Sequence, residues 1–225
     1  MKSLLSLLTM VIALTALPSL TQAEDDPSRW NGSMKEFQEE DSEKPFPKGG
    51  IVFAGSSSIR MWKSLNEDFP KHTVLRRGFG GSQMSDLLHH IDTVVLKHEP
   101  RQVVIYEGDN DIGKGKTAER VFADYIRVID RIHAKLPDCH VTFIAIKPSL
   151  KRWALAPEMT KANGLIEKFS ETDERLSYAD VWKPGLNDRG TPREDVFLKD
   201  GLHLNEKGYQ MWTRVIGKLL TPEKK

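Results

Sequence analysis

The stretch that most constrains this 225-residue chain runs from Gly49 to Trp62. A short apolar run, Ile51-Val52-Phe53-Ala54, is bounded by glycines, which predicts a buried parallel strand, and residues 56–62 then predict a helix. Between them Gly55 permits a tight turn that a Cβ would obstruct. A serine just past that turn sits where the N–H groups of a new helix point outward, beside any group that gains negative charge. The position suits a nucleophilic hydroxyl, and it equally suits an ordinary helix cap.

Other glycine-rich turns are excluded. The nucleophile elbow of α/β-hydrolases needs G-x-S-x-G, and the fifth position here is Ile59. A dinucleotide fingerprint needs a third glycine where Gln83 follows Gly78 and Gly80, and the chain has no Walker-type lysine motif.

Further along, residues 73–75 predict a second strand and 101–106 a third. Residues 140–146 predict a fourth strand, and 176–179 a short fifth. Helical spacing of apolar residues fills the intervals at 85–96, 117–136, around 162–169, and 205–220. Strands alternating with helices imply a parallel sheet covered on both faces, with functional residues in loops beyond the carboxyl ends of the strands. Residues 24–48 are strongly charged, yet Trp30, Met34 and Phe37 fall at i, i+4 and i+7. A short amphipathic helix and a disordered leader both fit that segment.

The first 23 residues read as an export signal: Lys2, an apolar run over 4–17, and the small residue Ala23. The apolar run is shorter than the ~20 residues of a membrane span. Removing it takes away Lys2 and no acid, so the 32 acidic residues that remain are matched by as many bases. That balance gives no electrostatic reason to expect nucleic acid or an anionic membrane as partner. Cys139 is the only cysteine, so an internal disulfide is impossible. The expected organisation is a signal over 1–23, a charged segment over 24–48, and one α/β domain over 49–221, with no stable membrane anchor.

Beyond the strand ends the sequence offers Ser57, Gly80-Gly81, Asn110 and, in the last long loop, Asp200-Gly201-Leu202-His203. These are the parts of acyl-transfer chemistry. A serine needs a base, and the base needs a group that fixes its tautomer. Asp200 and His203 lie three apart and can meet on one tight loop, leaving Nε2 for the serine. The Ser57 and Gly81 N–H groups and the Asn110 amide can form an oxyanion hole.

Four blocks in order, Gly55-Ser56-Ser57-Ser58, Gly78-Phe79-Gly80-Gly81, Gly108-Asp109-Asn110-Asp111 and Asp200-Gly201-Leu202-His203, resemble those of the SGNH or GDSL-type hydrolases. The compact branch that includes platelet-activating-factor acetylhydrolase-like enzymes is the most similar. The resemblance implies a three-layer flavodoxin-like α/β fold with a five-stranded parallel sheet, and a serine esterase or lipase mechanism without metal or cofactor. It implies Ser57 as nucleophile, Gly81 and Asn110 as oxyanion donors, and Asp200 and His203 as the rest of a triad. The usual G-D-S-L has become G-S-S-S here, so three serines adjoin and Ser57 is chosen by alignment.

Several polar residues read as structural. His89-His90 lack metal-ligand spacing, Asp111 holds the Asn110 loop or faces substrate, and Lys147, Arg152 and Trp153 read as a surface loop. The expected substrate is a small-molecule or carbohydrate acyl ester, met outside the exporting membrane, in the periplasm or beyond the cell. A lysophospholipid acyl hydrolase and a catalytically silent carbohydrate-binding module are the competing readings.

Overall fold

The computed structural model describes residues 26–223; the segment read as an export signal lies outside them. Five strands, β1 (Ile51–Gly55), β2 (Val74–Gly78), β3 (Gln102–Tyr106), β4 (His140–Ile144) and β5 (Leu176–Ala179), form one sheet in the order β2-β1-β3-β4-β5. All pairings are parallel, as the alternating pattern predicts. The chain runs outward from β1 to β2, then crosses back to β3. The β1/β3 boundary is therefore the point where strand order reverses, and ligands gather in such crevices.

Side chains alternate across the sheet and divide the core in two. Val52, Ala54, Val103, Ile105, Val141 and Phe143 face α1 (Asn31–Glu43), α4 (Met84–His89), α7 (Ala118–Lys135) and α8 (Ala156–Ser170). Ile51, Phe53, Val104, Tyr106 and Ile144 face α2 (Ser57–Arg60), α3 (Leu65–Asp68) and α9 (Glu206–Ile216). Thr117 caps α7 by accepting the Arg120 N–H, and Asn205 caps α9 by accepting that of Gly208.

Three details differ from the sequence reading. The helix after β1 is a single turn, so Ser57 stands on a tight bend and not on a long helix. The second strand continues past Leu75 through two arginines to Gly78. Arg77 is buried there because Glu40 and Asp41 of α1 neutralise it. The helix expected over 85–96 breaks at His90, where the backbone turns to φ −96°, ψ 13°. The His90 imidazole reaches the Pro27 carbonyl at 3.0 Å, and α5 (Ile91–Val94) continues beyond. Of the two readings of the charged segment, the helix is present: α1 buries Met34 and Phe37 on the sheet. No described helix is long and apolar enough to cross a membrane.

Candidate active site

Ser57 leaves the end of β1 through Gly55. There φ is +140°, and a Cβ would lie 2.1 Å from the Tyr106 carbonyl oxygen on the neighbouring strand. Only glycine allows that approach. Ser56 and Ser58 point inward and are buried; Ser57 is partly open. Ser57 Oγ is 3.0 Å from His203 Nε2. His203 Nδ1 in turn is 2.5 Å from Asp200 Oδ2, so Nδ1–H donates to the carboxylate and Nε2 accepts the serine proton. Asp200 Oδ1 accepts the Leu202 and His203 backbone N–H groups at 2.9 and 3.0 Å, which folds the loop tightly around the carboxylate. The hydrogen bond from His203, joined by those two N–H groups, holds the Asp200 carboxyl well below the usual carboxylate range.

The other predicted residues follow β2 and β3, the two strands that flank β1. Gly81 adopts φ +90°, a left-handed conformation that turns its peptide out of the loop after β2. Neither its N–H nor that of Ser57, the first residue of α2, donates to another described residue. Asn110 lies in α6 (Asp109–Gly113), immediately beyond β3. Its Nδ2 donates one hydrogen to the Ser82 carbonyl at 2.9 Å, so the amide touches the Gly81 loop and keeps a second N–H.

What holds Asn110 was not visible in the sequence. Arg152 Nη2 donates to Asn110 Oδ1 at 3.0 Å, which fixes the amide so that nitrogen, not oxygen, faces the Gly81 loop. The same guanidinium donates to the Asp109 carbonyl at 2.9 Å and pairs with the Asp109 carboxylate. Lys147, read above as surface, is only 2% exposed. Its Nζ lies 2.6 Å from Asp109 Oδ2 and 2.9 Å from the Tyr106 hydroxyl, so a buried carboxylate draws it inward. Burial alone would raise the Asp109 pKa, but Lys147 and Arg152 overcome it and bring the pKa down to about 2. The nearest signal in the sequence was Lys147 following an apolar strand without a break.

Asp111 braces the loop from below. It accepts the Met84 and Gly108 N–H groups at 3.1 Å and pairs with Lys116 at 3.0 Å. Beside it Glu107 is fully buried and accepts the Ser82 hydroxyl at 2.6 Å. Burial and the adjoining Asp111 push its carboxyl well above the usual range. The described residues contain no cluster of three or more metal-ligating side chains.

The rim is uneven. Leu150 and Leu198 are 40% and 42% exposed, and both adjoin the Asp200–His203 loop. Leu198 N–H donates to the His203 carbonyl, and Leu150 lies next to Gly201. Trp153 stacks on Trp182 with ring centroids 6.0 Å apart. Trp30 lies beside Gly81.

Residues 49–211 match the GDSL-like lipase/acylhydrolase family. No curated protein sequence matches the chain. Among solved structures, one from Streptococcus pneumonia described as a platelet activating factor is similar at TM-score 0.76 and 19% identity, covering 85% of this chain and 92% of that one. A GDSL-like lipase from Bacteroides thetaiotaomicron is similar at TM-score 0.70 and 18% identity, covering 83% and 96%. A family 3 carbohydrate esterase from Clostridium thermocellum is similar at TM-score 0.61 and 15% identity, covering 76% and 94%. At these identities the likeness speaks for the fold. The family match spans most of the sequence and includes all four blocks, and the chain belongs to the GDSL-like lipase/acylhydrolase family.

Proposed function

We propose that this chain is a serine esterase of small acyl esters, exported by its first 23 residues. One observation carries the reading: the unbroken hydrogen-bonded line from Ser57 Oγ through His203 to Asp200. Ser57 Oγ attacks the ester carbonyl while His203 Nε2 takes its proton, and Asp200 stabilises the imidazolium that forms. The carbonyl oxygen, now negative, meets the Ser57 and Gly81 N–H groups and the free Asn110 N–H. Collapse of this intermediate breaks the bond to the alcohol oxygen, which receives the proton from His203. Water then attacks the acyl-serine with His203 again as base, releasing the carboxylic acid and restoring Ser57. No metal or cofactor enters these steps.

Acetyl-sized esters, including carbohydrate O-acetyl groups, are the preferred substrates in this reading, supported by the structural likeness to a carbohydrate esterase. The exposed Leu150 and Leu198 favour a second reading, in which longer acyl chains lie along that rim. Labelling with a fluorophosphonate tests the chemistry. Wild-type protein is expected to label and Ser57→Ala is not; an unlabelled wild-type protein would support the silent binding module instead. Chain-length dependence on chromogenic esters then separates the two substrate readings, a steep preference for acetate favouring the first.

A further inference from the structure

Beside the nucleophile, Arg60 holds no carboxylate among the described residues. Nearby arginines hold carboxylates: Arg29 on Asp86, Arg77 on Glu40 and Asp41, Arg152 on Asp109. Arg60 is exposed and pairs with no carboxylate among the described residues. It follows Ser57 by three positions in α2, so both side chains leave the same face. Its guanidinium lies against Gly80, where a Cβ would come within 2.7 Å of Nε and 3.0 Å of Nη2. Glycine at that position keeps the place open for the guanidinium. The next residue is Gly81, whose N–H serves the oxyanion in the reading above. A planar fork of donors thus lies beside the oxyanion loop, one helical turn from the nucleophile.

Positive charge continues outward. Arg76 Nη1 donates to the Arg60 and Trp62 carbonyls at 3.1 and 3.3 Å, and neither Arg76 nor Lys63 pairs with a described carboxylate. With α1 these residues line a groove of about 720 Å³ along the outer edge of β2. Glu36, on the opposite wall, is the groove's one carboxylate without an ion pair among the described residues, since Arg77 holds Glu40. Cations on an edge strand also guard against unwanted strand pairing, which accounts for Arg76. It does not account for Arg60, which is on α2 and shares a face with Ser57.

Resting on the esterase reading, we propose that Arg60 binds a carboxylate or phosphate on the alcohol portion of the substrate. The preferred esters are then anionic, and a long carrier extends into the β2 groove. A guanidinium offers paired N–H donors to either group.

Three acetyl esters of similar size test this: 4-acetoxybenzamide, 4-acetoxybenzoate and 4-acetoxyphenyl phosphate. Each kcat/KM is divided by the ester's rate of hydroxide hydrolysis to remove intrinsic reactivity. The wild-type protein is expected to prefer an anionic ester over the amide by about fivefold, the upper range for an exposed ion pair. The preference should shrink with added salt. Arg60→Gln should bring the ratio to about one, and Arg60→Lys should keep part of it. Preference for the benzoate alone assigns a carboxylate carrier, for the phosphate alone a phosphorylated one, and for both a site reading charge. A wild-type ratio near one, or an unchanged ratio in Arg60→Gln, overturns the proposal. Should Arg60→Gln not fold, Gly80→Ala displaces the guanidinium while keeping its charge, and the ratio must fall there too. Turnover without preference counts against Arg60 only; no turnover of any ester counts against the esterase reading and takes this inference with it.

Discussion

The two halves of the site are built in opposite ways. Asp200 and His203 are 40% and 24% exposed and are held by their own short loop and by Ser57. Asp109, Lys147 and Asp111, which brace the Asn110 loop, are 6%, 2% and 0% exposed and are locked by ion pairs among Asp109, Lys147, Asp111 and Lys116 and by the Met84 N–H. The difference follows from what each half does in the proposed reaction. The acid–base half exchanges protons with substrate and water, so it stays near solvent. The oxyanion half must present fixed donors to a charge that exists only in the transition state, and reorganising them then would cost the rate.

If that contrast is right, substitutions in the open half should remove activity and spare the fold. The largest effect is expected for Ser57→Ala, with kcat lowered by about 10⁶. Its unfolding free energy should stay within about 1 kcal/mol of wild type, read by denaturant titration. Asp200→Asn should lower kcat by about 10⁴ through the wrong His203 tautomer, again with little change in stability. Strong destabilisation by either would erase the distinction.

The closed half should respond the other way. Lys147→Met leaves the Asp109 carboxylate with Arg152 as its one cation and the Tyr106 hydroxyl as a neutral donor, and breaking a buried pair costs about 3–5 kcal/mol. Stability should fall by that order, and a fold as stable as wild type would show the pair to be dispensable. Asn110→Ala should lower kcat by about 10²–10³ with KM nearly unchanged, the loss expected for one oxyanion donor. A raised KM with kcat intact would reduce Asn110 to a loop brace.

The smallest effect lies away from both halves and serves as their control. Burial brings the pKa of His98 down to about 4 in the folded protein, with Asp41 opposing and Arg77 and Lys97 assisting. The unfolded chain takes up this proton at about 6.5, so it binds more protons than the folded one between the two values. Stability should therefore fall as pH drops from about 6.5 to about 4 and level off below. His98→Gln should flatten that limb in a thermal melt series without altering turnover. A limb of the same depth in the variant would place its origin elsewhere.

Much of this was legible in the sequence because it rests on local pattern. The apolar runs marked all five strands, three of the four blocks fell at strand ends where parallel sheets gather their chemistry, and the fourth fell in the loop before α9. What stayed hidden depends on distant charge pairing. Arg76 and Arg77 looked like the end of β2, and only Glu40 and Asp41, 36 and more residues earlier, let that strand continue. Lys147 looked like a loop residue because its partner Asp109 is 38 positions away. The break at His90 has no glycine or proline to announce it, and the imidazole there turns to the Pro27 carbonyl, 63 positions earlier.

The bond between Ser57 and His203 spans 146 positions of chain, and it has a consequence in time. Chains are made from the amino end and tend to organise in that order. Nucleophile, oxyanion loop and the braces of Asn110 all precede residue 153 in the sequence, whereas the base and its carboxylate arrive only after residue 199. A polypeptide still emerging, or cut short after α8, holds a serine with nothing to take its proton. On the proposed reading such a chain is chemically inert, and hydrolytic competence appears with the docking of the final loop and α9.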